Sequence, residues 1–260
     1  MFNLDDVLPK TLQIVRDAGK IIAQNWTRPH EITHKGAIDL VTETDRQVED
    51  YLHKHLGQLL PEAAFIGEES AKDLNIPADK PLCWIVDPVD GTTNFVHRQP
   101  PVSVSVALCE EGVPVVGVVD APMLQECFYA ARDSRAFCNG EPVEVSAVTN
   151  LSDAVVATGF PYDVSASLDD ILRRLAKVLP ATQGLRRLGS AAIDLCWVAC
   201  GRLDAFYEAG LKPWDMAAGW LIVLEGGGQL SDFAGRRFDW GRSVLASNGK
   251  IHADMVNLLI

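Results

Sequence analysis

The chain contains no apolar run able to cross a bilayer. Its longest, Met216 to Leu224, is far short of the roughly 20 residues a spanning helix needs. The opening Met1-Phe2-Asn3-Leu4-Asp5-Asp6 has neither the basic segment nor the apolar stretch of a secretory signal, so none is expected. Basic residues are scarce: Lys and Arg number 23 against 35 Asp and Glu, a formal charge of -12. A face that binds nucleic acid needs clustered Lys and Arg against the phosphates, so nucleic acid is not expected as a substrate. A small anion remains compatible with this charge if cations stand between it and the protein. Six cysteines, at 83, 109, 127, 138, 196 and 200, include no Cys-x-x-Cys pair. Cys196 and Cys200, four apart in an expected helix, read as buried thiols, and the set as a whole points to the reducing cytoplasm.

What the chain does have is 260 residues, 48% of them hydrophobic and 22% charged, the composition of a folded protein with a substantial core. Asn3 is a candidate N-cap for an amphipathic helix carrying Leu4, Leu8, Leu12, Val15, Ala18 and Ile22 at helical spacing. Ile32 to Leu40 reads as loop and short strand. A second helix is expected from Thr44, with Gln47 completing a capping box and Val48, Tyr51, Leu52, His55, Leu56 and Leu59 on its apolar face. Strands are expected at Ala64–Ile66, Leu82–Val86, Val102–Leu108, Val113–Val119 and Glu126–Ala131, then an Asn139-Gly140 hairpin before Val143–Val145. Beyond residue 146 the pattern changes to alternating units: strands at Ala154–Thr158, Leu203–Glu208, Gln229–Asp232 and Val244–Ser247, and helices at Leu168–Leu179, Ser190–Cys200, Trp214–Glu225 and the C-terminus. This predicts two packed halves, 1–145 and 146–260, working as one unit.

The most informative segment is Trp84-Ile85-Val86-Asp87-Pro88-Val89-Asp90-Gly91-Thr92-Thr93-Asn94-Phe95. A hydrophobic strand delivers Asp87 at its end, where α/β sheets place ligands. Pro88 is expected to stop the strand, and Gly91 permits a tight turn that brings Asp90 beside Asp87. Gly91, Thr92 and Thr93 read as a helix start whose free amides favour phosphate. Gly67-Glu68-Glu69-Ser70 follows another short strand, and Trp214-Asp215-Met216-Ala217-Ala218-Gly219 opens a helix. Each acid alone has an ordinary explanation: Asp215 and Asp45 as first-turn helix acids, Glu68 and Glu69 as solvated loop residues, Asp87 and Asp90 as turn formers. Gathered together, such acids repel one another unless cations occupy the gaps. An oxygen-only set suits Mg²⁺ or Mn²⁺ rather than zinc, and two such ions about 3.5–4 Å apart clamp the attacking and leaving oxygens of a phosphoryl transfer.

With these three motifs in order, the chain resembles the inositol monophosphatase family of Mg²⁺-dependent, lithium-sensitive phosphatases. The match runs from the Lys35 segment to near the C-terminus. The resemblance implies a layered αβαβα sandwich, an α/β fold shared with fructose-1,6-bisphosphatases, usually assembled as a homodimer. It implies that Glu68, Asp87 and the Val89 carbonyl hold one Mg²⁺ and that Asp87, Asp90 and Asp215 hold a second. Two or three ions are expected in all, with Mn²⁺ a possible substitute. Glu68 and Thr92 would position the nucleophilic water. Asp45, in the matching Asp39-Leu40-Val41-Thr42-Glu43-Thr44-Asp45 segment, would hold Thr92. The amides of Gly91 and Thr92 would take the phosphate, with Glu68, Val89, Asp90 and Asp215 also bordering the substrate. Gly189, Ser190, Ala191 and Glu208 would contact the alcohol portion. The implied reaction is hydrolysis of a small phosphate ester, inositol monophosphate, by metal-activated water.

The chain departs from the family pattern in three places: the shortened Lys35–Asp39 spacing, for which Lys35 is given no role, Arg132–Ala136 without the usual glycines, and Arg98-Gln99-Pro100-Pro101. None of them carries an implied metal ligand. Haloacid-dehalogenase phosphatases use Asp-x-Asp near the chain start, whereas this chain has Asp-x-x-Asp with an internal proline. Gly226-Gly227-Gly228 lacks the Lys-Ser/Thr of a phosphate loop and reads as a helix terminator. His53 and His55, two apart on a helix, cannot face one metal. Within the family, Thr93-Asn94-Phe95 is the inositol-type form, and Glu208 suits a polyol because a carboxylate accepts from hydroxyls. The alternatives within the family are a fructose-1,6-bisphosphatase, the most serious of them, or another sugar or nucleotide phosphatase such as a 3′-phosphoadenosine 5′-phosphate or histidinol-phosphate phosphatase, and a non-catalytic regulatory or RNA-machinery-binding homologue is the alternative outside catalysis.

Overall fold

Asn3 starts the first helix, its side chain accepting from the Asp5 amide at 3.1 Å. The computed structural model describes residues 3–28, 32–34, 40–71, 81–161, 163–238, 240–241 and 243–260, with 32–34 and 40 as backbone only. Lys35 and Asp39 lie outside the described residues. Helix α1 (Leu4–Asn25) is followed by strands β1 (Ile32–His34) and β2 (Leu40–Thr42), helix α2 (Glu43–Leu59) and strands β3 (Ala64–Gly67) and β4 (Leu82–Asp90). A short helix α3 (Thr92–Val96) precedes β5 (Ser103–Glu110), β6 (Val113–Ala121), β7 (Glu126–Ala131), β8 (Ala136–Cys138) and β9 (Glu141–Val143). Then come β10 (Val155–Thr158), α4 (Val164–Ala181), β11 (Gly184–Arg186), α5 (Ala191–Ala199), β12 (Ala205–Ala209) and α6 (Pro213–Glu225). Strands β13 (Gln229–Ser231) and β14 (Ser243–Ser247) and helix α7 (His252–Leu259) complete the order.

Three hydrophobic cores separate five layers. Strands β3 to β9 form a seven-stranded sheet in chain order, and a five-stranded sheet has the order β11-β10-β12-β14-β13. Helices α1 and α2 cover the outer face of the larger sheet, α5 and α6 lie between the sheets, and α4 and α7 cover the smaller one. This is the expected αβαβα arrangement. Along β4, Leu82, Trp84 and Val86 enter the α1/α2 core while Cys83 and Ile85 face α5 and α6, the two-residue alternation of a strand buried on both sides.

Several local expectations are corrected. The buried stripe of α1 is Val7, Thr11, Val15, Ala18 and Ile22, with Leu4, Leu8 and Leu12 only partly buried beside it. Helix α2 starts at Glu43, not Thr44: Thr42 is the N-cap and Asp45 its box partner, because Asp45 reaches back to the Thr42 amide at 2.9 Å. Pro88 does not stop β4. Two residues of β4, Pro88 and Val89, oppose the single Val104 of β5 there, since Asp87 pairs with Ser105 and Asp90 with Ser103, and a proline is tolerated in a strand at such a bulge. The bulge also resets the alternation, so Val89 turns into the α1/α2 core while Asp87 and Asp90 share the opposite face with Ser105 and Ser103. The Asn139-Gly140 turn forms with both residues at positive φ, but β9 begins at Glu141 rather than Val143. Helix α4 begins four residues before Leu168, and β11 has no counterpart in the sequence reading. The Gly226–Gly228 run terminates α6 as expected, with Gly228 donating to Val223 O at 2.9 Å.

Candidate active site

The predicted acids of the wall arrive on three separate segments of the chain. Glu68 follows β3, where its amide donates to Val86 O at 3.1 Å and so ties the turn to the end of β4. The next amide, of Glu69, donates to the buried Glu49 of α2 at 2.8 Å. Glu49 therefore holds the turn that presents Glu68, a role the sequence reading missed. Asp87 and Asp90 come from the bulged end of β4, both buried. Asp215 stands three residues into α6 and accepts from the Lys212 amide at 2.6 Å. Ser105, the cross-strand partner of Asp87, donates to Trp214 O at 3.3 Å, which docks the start of α6 beside β4.

These residues border one cavity of about 510 Å³. Its wall includes Glu68, Asp87, Val89, Asp90, Gly91, Thr92, Gly189, Ser190, Ala191, Glu208 and Asp215. Asp45 does not reach it; buried behind the wall, it accepts from the Thr92 hydroxyl at 3.1 Å. Gly91 has φ 90° and caps α3, and a Cβ there would stand 2.8 Å from Pro101 O, so only glycine fits this turn. Asn94 fastens the turn, its amide donating to Pro101 O at 2.7 Å and Leu188 O at 2.8 Å. Ser190 is the N-cap of α5, and its hydroxyl donates to Asp90 at 2.5 Å. That hydroxyl is engaged with Asp90 at the cavity wall.

Burial raises the acids. It lifts Asp87 well above the carboxylate range, and the charges of Glu68, Asp90 and Asp215 push the same way. Asp90 is pushed up to about 6 by burial, opposed by hydrogen bonds from Ser190 and the Ala192 amide. Burial raises the partly buried Asp215 as well. Glu208 is pushed up to about 8 by burial, with Arg187 opposing the rise.

The donor set is chemically suited to a hard divalent cation: carboxylates and a backbone carbonyl, with neither His nor Cys in the wall. Among the described residues, no three His, Cys, Asp or Glu side chains stand as a ready-made cluster around one ion position. The acids border a shared space. Three charged wall residues, Arg187, Asp194 and Lys212, were not anticipated. Asp194 lies one helical turn after Ser190 and so faces the same way, a spacing that could have indicated it. Burial, then the charge of Glu208, raises Asp194 well above its usual range. Its Oδ1 is buried without a hydrogen-bond partner among the described residues.

The family model for the inositol monophosphatase family matches residues 3–259. An inositol-1-monophosphatase of Synechocystis sp. is 43% identical over 259 residues, covering 99% of this chain and 90% of the relative. The Nus factor SuhB of Salmonella typhimurium is 37% identical over 248 residues, covering 94% and 92%. The crystal structure of the extragenic suppressor protein suhB from Bartonella henselae superposes with a TM-score of 0.92 at 36% identity, covering 98% of each chain. Sequence and fold agree over nearly the whole length: the chain belongs to the inositol monophosphatase family and is a phosphatase, a phosphoric monoester hydrolase.

Proposed function

We propose that this phosphatase is Mg²⁺-dependent and hydrolyses the phosphomonoester of inositol monophosphate by attack of water. The observation that carries the reading is the meeting of Glu68, Asp87, Asp90 and Asp215 with the Gly91–Thr92 turn in one cavity. Glu68, Asp87 and the Val89 carbonyl would hold one Mg²⁺, and Asp87, Asp90 and Asp215 a second. Bound there, the ions would lower the pKa of water and offset charge on the phosphoryl oxygens. Glu68 accepts a proton from the attacking water. Thr92 orients that water, because its one proton is shared between Asp45 and Val89 O at 3.0 Å, which leaves its oxygen to accept from the water. The amides of Gly91 and Thr92 hold the phosphate, while Gly189, Ser190, Ala191 and Glu208 border the alcohol. Halves 1–145 and 146–260 act as one unit, since the cavity takes acids from both.

The reading carries with it a cytoplasmic homodimer. Six free cysteines suit a reducing compartment, and Leu168, Leu172 and Leu179 of α4 offer exposed apolar surface for self-association. The Salmonella relative named Nus factor SuhB supports a second, regulatory reading. Retention of the whole acid set favours catalysis, because buried acids cost stability without a cation to hold. The test is phosphate release from inositol 1-phosphate, fructose 1,6-bisphosphate, 3′-phosphoadenosine 5′-phosphate and histidinol phosphate, with and without Mg²⁺. Inositol 1-phosphate should be the preferred member and depend on Mg²⁺; release from none of the four would leave the regulatory reading.

A further inference from the structure

A second, smaller cavity of about 120 Å³ shares a wall with the catalytic one. Gly159, Phe160, Pro161 and Glu208 border both, and Arg174 of α4, Tyr207 of β12 and Phe233 line the smaller space. Of the three basic residues of α4, two are committed: Arg173 donates to Asp170 at 2.9 Å and Lys177 to Ile260 O at 2.6 Å. The Arg174 guanidinium carbon stands over the Phe233 ring, 4.7 Å from its centroid. Its Nε donates to Leu259 O at 3.3 Å, and its two terminal nitrogens have no hydrogen bond or ion pair among the described residues. Tyr207 is only 4% exposed, and its hydroxyl is buried without a hydrogen-bond partner among the described residues. The Thr158 hydroxyl, also at this cavity, is spent on Tyr207 O at 2.8 Å.

A guanidinium offers donors alone, and the Tyr207 hydroxyl has a proton with nothing to accept it. The two are near enough that the Arg174 charge acts on the Tyr207 hydroxyl. What the cavity lacks is an acceptor between them. A water would satisfy Tyr207 but give no counter-charge to Arg174, whose charged form partial burial disfavours; an oxyanion supplies both. Stacking on Phe233 leaves the in-plane N–H groups of the guanidinium free for such a contact. The cavity is far larger than the roughly 10–15 Å³ that a single water needs, and phosphate is the anion that a phosphatase sets free. We infer that this cavity is a second anion site, separate from the catalytic one, that takes a tetrahedral oxyanion, inorganic phosphate, between Arg174 and Tyr207. Tyr207 belongs to the outer core of the smaller sheet while Glu208, the next residue of β12, borders the catalytic cavity, so the bound anion stands one residue from that cavity's wall. The site needs no turnover and does not depend on which ester the enzyme hydrolyses.

Equilibrium dialysis of radiolabelled inorganic phosphate against the full chain in EDTA tests it, because phosphate held through Mg²⁺ at the catalytic acids is then released. The wild type should bind phosphate saturably. Sulfate, of the same shape, should displace it, and chloride at equal ionic strength should not. Arg174→Met should weaken binding by about tenfold and Tyr207→Phe, which removes only the hydroxyl, by about fivefold. Melting curves in EDTA show whether each variant is folded, and if Arg174→Met is not, Tyr207→Phe decides. No saturable binding by the wild type, or displacement by chloride as effective as by sulfate, overturns the inference. So does unchanged affinity in the deciding variant, since phosphate held by the Gly91–Thr92 turn would be indifferent to α4.

Discussion

The hydroxyl of Thr92 donates to Asp45 Oδ1 at 3.1 Å across a separation of 47 residues. The other oxygen of Asp45 accepts both the amide and the hydroxyl of Thr42 at the start of α2. One buried carboxylate thus holds a helix start and a site hydroxyl together. Asp45→Asn replaces one accepting oxygen with a donor, so either the Thr42 bonds fail or the Thr92 hydroxyl must turn from donor to acceptor. Stability should fall by about 1 kcal/mol, the worth of a capping interaction, and kcat by about tenfold at similar KM. Urea melts and steady-state kinetics measure the two separately, and a loss of stability with wild-type kcat would show Asp45 to be a helix cap alone.

Glu68→Gln keeps the size of the side chain and removes the base. The expected loss is about 100-fold in kcat, within the usual range for a general base, with little change in substrate affinity. Rapid-quench trapping of a phosphorylated aspartate during turnover would contradict attack by water.

Mg²⁺ should stabilise the protein, because the acids around the cavity repel one another without it. One ion at about 100 times its dissociation constant adds about 2.7 kcal/mol. At roughly 2–4 °C per kcal/mol for a chain of this size, melting should rise by several degrees between EDTA and excess Mg²⁺. Superimposable melting curves would speak against a cation site here.

Asp215→Asn should raise the Mg²⁺ concentration needed for half-maximal activity, whereas a first-turn helix acid contributes only about 0.3–1 kcal/mol to stability. Li⁺ prefers oxygen donors but has half the charge of Mg²⁺. It should inhibit more strongly as substrate saturates the wild-type enzyme and less effectively in the variant. An unchanged Mg²⁺ requirement in Asp215→Asn would remove that residue from the metal site.

Away from the cavity, burial pushes Asp120 up to about 6, with the Cys127 contact and the charges of Arg16 and Lys20 opposing the rise. The folded state therefore holds this proton more tightly than the unfolded chain, whose Asp titrates near 4. Its contribution is most favourable below pH 4 and is lost as pH rises through 6. Asp120→Asn should flatten this part of the stability profile between pH 4 and 7, by roughly 1–3 kcal/mol. Urea melts across that range test it; an unchanged slope would mean the charge is already compensated by Arg16 and Lys20.

Much of this architecture is legible locally. The spacing in α1, the Asn139-Gly140 turn, the glycines after α6 and the acids after β3 and β4 depend on near neighbours, where side-chain period and allowed backbone angles decide. The family motifs are local in the same sense. Thr42 was harder to recognise as the N-cap because Thr44 and Gln47 offer a competing box two residues on, and only the reach of Asp45 back to Thr42 decides between them. The roles of Glu49 and Asn94 were not legible either, since their partners are brought to them by packing.

By itself the sequence determined which residues could bear charge at strand ends and helix starts, and the order in which those elements follow. Tertiary structure decided which way they face. The bulge at Pro88 is set by the register of β4 against β5, and it puts Asp87 and Asp90 on one side while Val89 turns to the other core. Ser190 is spent on Asp90, 100 residues away, because α5 docks where it does. Short-range periodicity is encoded within a turn or a strand, whereas register and docking depend on burying three cores at once.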